Sequence, residues 1–148
     1  MSEDSLYYLT VADLRVIADD AVGTFVLRDP GLLASAAARP QTTVFGTDAY
    51  PTIWEKAAAL LHSIASNHPL VDGNKRLSLA SAVIFLARNG IDVDALDDDL
   101  AYDMMIDVDS GTLTEVADIA ERLISALGVA TNAITNSQRR PESSQLQE

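Results

Sequence analysis

The stretch "NHPLVDGNKRLSLASAVIFLARNG" (Asn67–Gly90) changes character halfway. From Asn74 onward, Leu77, Leu79, Ala80, Val83, Ile84, Leu86 and Ala87 make a helix that is apolar nearly all round. A helix of that kind belongs in the middle of a bundle. Asn89-Gly90 supplies its C-terminal stop. The first half is polar and carries Pro69, which disfavours helix at the residue before it. A buried helix is thus approached through a crowded polar loop.

Outward from this helix, the same periodicity recurs on both sides. Thr10, with Asp13 three residues on, reads as the N-terminus of a first helix that runs to about Leu27. Asp29 caps a short Ala-rich helix with Pro30 in its first turn, which stops before Pro40. A loop with a brief extended piece at Thr42–Phe45 leads to Pro51. A third helix then places Trp54, Ala57, Ala58, Leu61, Ile64 and Ala65 on one face. After Gly90, Asp97 or Asp98 caps a helix ended by Gly111, and "TLTEVADIAERLISALG" gives a last amphipathic helix. The acidic run at Asp97–Asp99 reads as a dipole-matched helix start rather than a metal site. The expectation is an all-α bundle of about six helices around a central Leu77–Ala87 helix. It forms one domain over residues 1–128, followed by a polar tail over 129–148.

Composition narrows the function. The 148 residues carry 22 Asp and Glu against 10 Lys and Arg, a net charge of -12. Such a surface repels phosphate backbones, which argues against direct nucleic-acid binding. The absence of cysteine removes disulfides, thiolate zinc sites and Cys nucleophiles. With no apolar stretch long enough to span a bilayer and no leader-like start, the expectation is a cytoplasmic protein without a membrane role.

Within the nine residues His68–Arg76 several chemical groups collect. His68 can accept a proton from a hydroxyl; taken alone, it reads better as a core or capping histidine. Asp72 can cap the following helix or hold a magnesium ion. Gly73 permits a positive φ or a close backbone approach to a ligand. Asn74, Lys75 and Arg76 stand at a helix N-terminus, where free N–H groups favour an anion and cations oppose the macrodipole. A bound phosphate would reverse that penalty; solvent or acidic neighbours are the plainer account. Together these are the parts needed for phosphoryl or nucleotidyl transfer. The chain has neither a G-x-x-x-x-G-K-[ST] nor a G-x-G-x-x-G motif. His62, six residues before His68, falls on another helix face and does not pair with it at a metal.

"HPLVDGNKR" closely resembles the signature of the Fic/Doc (Fido) family, H-x-F-x-[DE]-G-N-[GK]-R, and Lys75 resembles its Doc branch, the death-on-curing toxins. "RDPGLLASAAARPQTTVFGTDAYP" and "LARNGIDVDALDDDLAYDMM" look like Doc-type chains too, so the resemblance spans about Leu6 to Leu127. It implies a compact helical toxin of a toxin–antitoxin module. Such a toxin is a kinase that phosphorylates a threonine of translation elongation factor Tu with ATP and magnesium, blocking protein synthesis. Its antitoxin folds a C-terminal segment onto it. His68 would then be the base and Asp72 the magnesium ligand. Gly73, Asn74, Lys75 and Arg76 would bind the phosphates, and Arg28 and Asp29 would lie on the substrate side. The alternatives are a Fic-type nucleotidyl transferase, which has Gly where Lys75 stands, and a non-catalytic binding module. Leu70 replaces the usual Phe and Leu77 the common Thr.

Overall fold

Thr10 and Asp13 close the first helix reciprocally. Thr10 Oγ1 accepts from Asp13 N at 3.1 Å, and Asp13 Oδ2 accepts from Thr10 N at 2.9 Å. The computed structural model describes residues 5–129; the tail expected over 129–148 lies, but for Val129, outside the described residues. Helix α1 spans Val11–Ala21 and ends earlier than its apolar spacing predicts. Gly23 turns the chain in the left-handed region, φ 94°. Phe25 and Leu27 then pack against the core from a segment that is not helical. Leu27 makes a bridge to Leu70, and Val26 O accepts from Val71 N at 2.9 Å. Periodicity could not separate these cases, because both place the same apolar residues inside.

Asp29 caps α2 (Pro30–Ala38), its Oδ1 accepting from Gly31 N at 2.9 Å and Leu32 N at 3.3 Å. A 3-10 turn at Arg39–Gln41 takes up Pro40. The expected extended piece is one half of a hairpin: β1 (Thr43–Val44) pairs antiparallel with β2 (Thr47–Asp48). Phe45 and Gly46 turn it with φ of 52° and 80°, the backbone a two-residue type I′ hairpin needs. Buried Lys56 pins the hairpin base, donating to Asp48 Oδ2 at 3.1 Å and Tyr50 O at 2.6 Å.

Helix α3 (Ile53–Asn67) starts from a Thr52–Glu55 capping box. Helices α4 (Asn74–Arg88), α5 (Asp98–Ser110) and α6 (Val116–Ala126) complete the bundle. Asp97 caps α5 and Gly111 ends it. Among the described residues, six helices and one small hairpin make the mostly helical architecture expected. Its centre is shared differently, however. Helix α3 packs against α2, α4, α5 and α6 and has ten buried residues, against seven for α4. Helix α4 buries Leu77, Ser78, Ala82, Phe85 and Leu86 on one broad face and leaves Ala87 exposed. Four alanines of the buried α3 face, Ala57, Ala58, Ala59 and Ala65, let neighbours approach on several sides. Among the described residues no helix is long and apolar enough to cross a membrane.

Candidate active site

Helix α3 ends where Pro69 forbids continuation. His68 is its C-cap, in the left-handed region at φ 54°, ψ 65°, with its N–H donating to Ile64 O at 3.1 Å. Such a backbone is uncommon outside glycine and persists where its surroundings hold it. Here they do. Arg28 Nε donates to His68 O and Arg28 Nη2 to Asn67 O, both at 2.7 Å. Arg28 N and Asp29 N both donate to Pro69 O, at 2.7 and 3.1 Å. A cation on the last carbonyls also suits the helix dipole. The His68 side chain is exposed, so the core-histidine reading fails.

The loop then passes through the core and out again. Leu70 is buried at 1% exposure and anchors it. Asn74, itself buried, accepts from Leu70 N at Oδ1 and donates to Leu70 O from Nδ2, each at 2.9 Å. Asp72 does not cap α4. Its Oδ1 accepts from Gly73 N at 2.9 Å, and the N-cap is Gly73 with no side-chain capping bond. Gly73 has φ 91°, and a Cβ there would stand 2.5 Å from Val22 Cγ1, so glycine is required twice over. The first helical hydrogen bond is Leu77 N to Gly73 O. The backbone N–H groups of Asn74, Lys75 and Arg76 therefore make an uncapped helix terminus, an anion seat by geometry.

A cleft of about 380 Å³ runs over this terminus, from His68 through Val71 and Asp72–Arg76 to Asp109 of α5. All six of the residues His68, Asp72, Gly73, Asn74, Lys75 and Arg76 line it. Asn74 does so with its side chain already committed to Leu70, so what it adds for an anion is backbone. Arg28 and Asp29 do not line it; the bonds their side chains make support the loop and cap α2. Asp109 was not singled out by sequence: it stands 34 residues from Lys75 in an ordinary acidic helix, and Lys75 Nζ lies 3.5 Å from its Oδ2. Both side chains are about half exposed, so that ion pair contributes little, roughly 0–1 kcal/mol. Lys75 and Arg76 remain two exposed cations at the positive end of a helix. Leu77, at 0% exposure, lies in the core, so neither departure from the family signature, Leu70 or Leu77, exposes its side chain to the cleft.

His62 belongs to a separate cluster. Arg39 Nη1 lies 3.0 Å from its Nδ1 and also donates to Ser63 Oγ at 3.1 Å. Because Arg39 can only donate, Nδ1 accepts and the neutral ring carries its proton on Nε2. Burial first, then the Arg39 guanidinium, holds the His62 pKa below its ordinary value, with Glu115 opposing.

The sequence has relatives. The Fic/DOC family model matches residues 8–86. "Toxin Doc" of Mycolicibacterium smegmatis is 56% identical over 87 residues, covering 58% of this chain and 67% of that protein. "Protein kinase doc" of Escherichia phage P1 is 32% identical over 99 residues, covering 66% of this chain and 76% of that protein. The matched span runs from α1 to Leu86 within α4 and holds the whole of His68–Arg76. With Lys75 in the signature, the chain belongs to the Fic/DOC family and resembles its Doc-type toxins.

Proposed function

We propose that this protein is a Doc-type toxin that transfers the γ-phosphate of ATP to a threonine hydroxyl of a translation factor such as elongation factor Tu, and that a cognate antitoxin restrains it. One observation carries the reading. The uncapped N-terminus of α4 presents backbone N–H groups and two exposed cations, and His68 stands on the same cleft. Helix-terminal N–H groups with Lys and Arg accept phosphate oxygens, and an exposed imidazole can take a hydroxyl proton.

In the reaction, the hydroxyl proton passes to the His68 imidazole as the oxygen attacks the γ-phosphorus. The bond from that phosphorus to the β,γ-bridging oxygen breaks, and ADP leaves. Lys75 and Arg76 offset charge on the phosphates, and the Asn74–Arg76 backbone orients them. The Asn74–Leu70 pairing keeps the loop from shifting between base and anion seat.

Magnesium fits these residues in one way. Among the described residues no group of three or more His, Cys, Asp or Glu side chains could hold a metal by itself. Two carboxylates line the cleft: Asp72, next to Gly73 at the anion seat, and Asp109, which faces Lys75. Magnesium takes one or two carboxylates, waters and substrate phosphates, so Asp72 would hold it jointly with ATP. Bound there, it would neutralise phosphate charge.

The test is to incubate the antitoxin-free protein with cell extract, magnesium and ATP labelled at either the γ- or the α-phosphate. Protein labelling from γ alone is expected. Labelling from α alone would mean nucleotidyl transfer, and no labelling from either would mean a binding module.

A further inference from the structure

We propose that Arg28 is a positioning residue for His68: by holding the last carbonyls of α3, its guanidinium sets the direction from which the imidazole faces the cleft. The proposal deepens the reading above and rests on His68 being the proton acceptor. Three observations support it. The first is where the two bonds go. Arg28 Nε and Nη2 take the carbonyls of His68 and Asn67, each at 2.7 Å. These are the peptide groups on either side of the bond rotations that aim the His68 side chain. A planar fork with two fixed donors constrains orientation as a single ammonium cannot.

The second is the backbone at His68, at φ 54°. Left-handed geometry at a non-glycine residue persists only when neighbours over-determine it. The extended 26–29 segment does this in parallel, through Arg28 N and Asp29 N on Pro69 O and Val71 N on Val26 O. The third is that the ion pairs among the described residues do not include Arg28, although acids outnumber bases across the chain. Its charge is spent on backbone carbonyls that end one helix, next to the residue that must point across the loop. Arg28 does not line the cleft.

The chain's two histidines provide an internal control. In Arg28→Ala, the His68 ring resonances should shift and the His68 amide should exchange at least about tenfold faster, while the His62 ring stays put. The rate of γ-phosphate transfer at saturating ATP should fall by about tenfold or more, with KM for ATP within about twofold. Arg28→Lys should recover part of the rate, since an ammonium reaches one carbonyl, and it serves the same reading if Arg28→Ala does not fold. Unmoved His68 resonances in both variants would overturn the proposal. So would a KM for ATP that rises in step with the loss of rate, since that marks collapse of the whole site. A wild-type protein that transfers no γ-phosphate would instead sink the kinase reading, and the resonances alone would then decide whether Arg28 orients His68.

Discussion

Asn74 grips Leu70 by both ends of its residue: the side-chain amide accepts from Leu70 N and donates to Leu70 O, each at 2.9 Å. The first residue of α4 thereby holds the middle of the loop that leads into it. Replacing Asn74 by Ala leaves a buried N–H and a buried C=O without partners, each costing about 1–3 kcal/mol. Urea unfolding should show a loss of at least that size. Asn74→Asp restores an acceptor but brings a negative charge to the anion seat. It should be the more stable of the two variants and the weaker in ATP binding by calorimetry. Equal stability of Asn74→Ala and wild type would show that the pairing contributes nothing.

Gly73 and Val22 should be energetically coupled. Gly73→Ala meets two penalties: a left-handed backbone at φ 91° and a Cβ 2.5 Å from Val22 Cγ1. Val22→Ala relieves the second and not the first. A double-mutant cycle in thermal unfolding should therefore give a coupling of roughly 0.5–3 kcal/mol, with the double variant still below Val22→Ala in stability. Strict additivity would mean that the loop moves away from α1 at no cost.

His68→Ala should lower γ-phosphate transfer by about 10²–10⁴-fold, the usual contribution of a general base. Because the ring is exposed, its circular dichroism and melting temperature should match the wild type. A variant that keeps full activity would remove His68 from the reaction. Lys75→Gly takes an exposed charge from the cleft at little cost to the fold. It should weaken γ-transfer and raise KM for ATP, measured with the same labelled nucleotide.

Acid should weaken the fold through His62. Its folded pKa lies below the ordinary 6.5, from burial first and the Arg39 guanidinium second. Below pH 6.5 the unfolded chain therefore binds more protons than the folded one. Stability from this group is present above the ordinary value and lost as pH falls through the lowered one. The melting temperature of the wild type should drop more between pH 8 and pH 5 than that of His62→Gln. Asp13, lowered mainly by its bond to the Thr10 backbone, adds a similar loss at more acid pH, and it is common to both proteins. An identical drop in the two would exclude His62.

Much of the molecule is legible from local chemistry. Thr10, Asp29, Thr52 and Asp97 cap helices where their residue types say they should, because a cap is a contact within three residues. The cluster His68–Arg76 is legible for the same reason: its groups are neighbours in the chain. Arg28 shows the opposite case. Its side-chain partners lie 39 and 40 positions away, on two carbonyls that no pattern marks.

By itself, the sequence determined the helical class, most helix starts and stops, and which residues could carry phosphate chemistry, since spacing and short-range capping settle these. Tertiary structure decided the rest. It ended α1 at Ala21 so that Val26 and Leu27 could pair with the loop, gave α3 the most buried position, and left α4 uncapped. It also committed the Asn74 side chain to Leu70 and brought Asp109 to the cleft. Each of these depends on backbone groups or side chains that meet only after distant segments pack, and a backbone carbonyl is the same in every residue type.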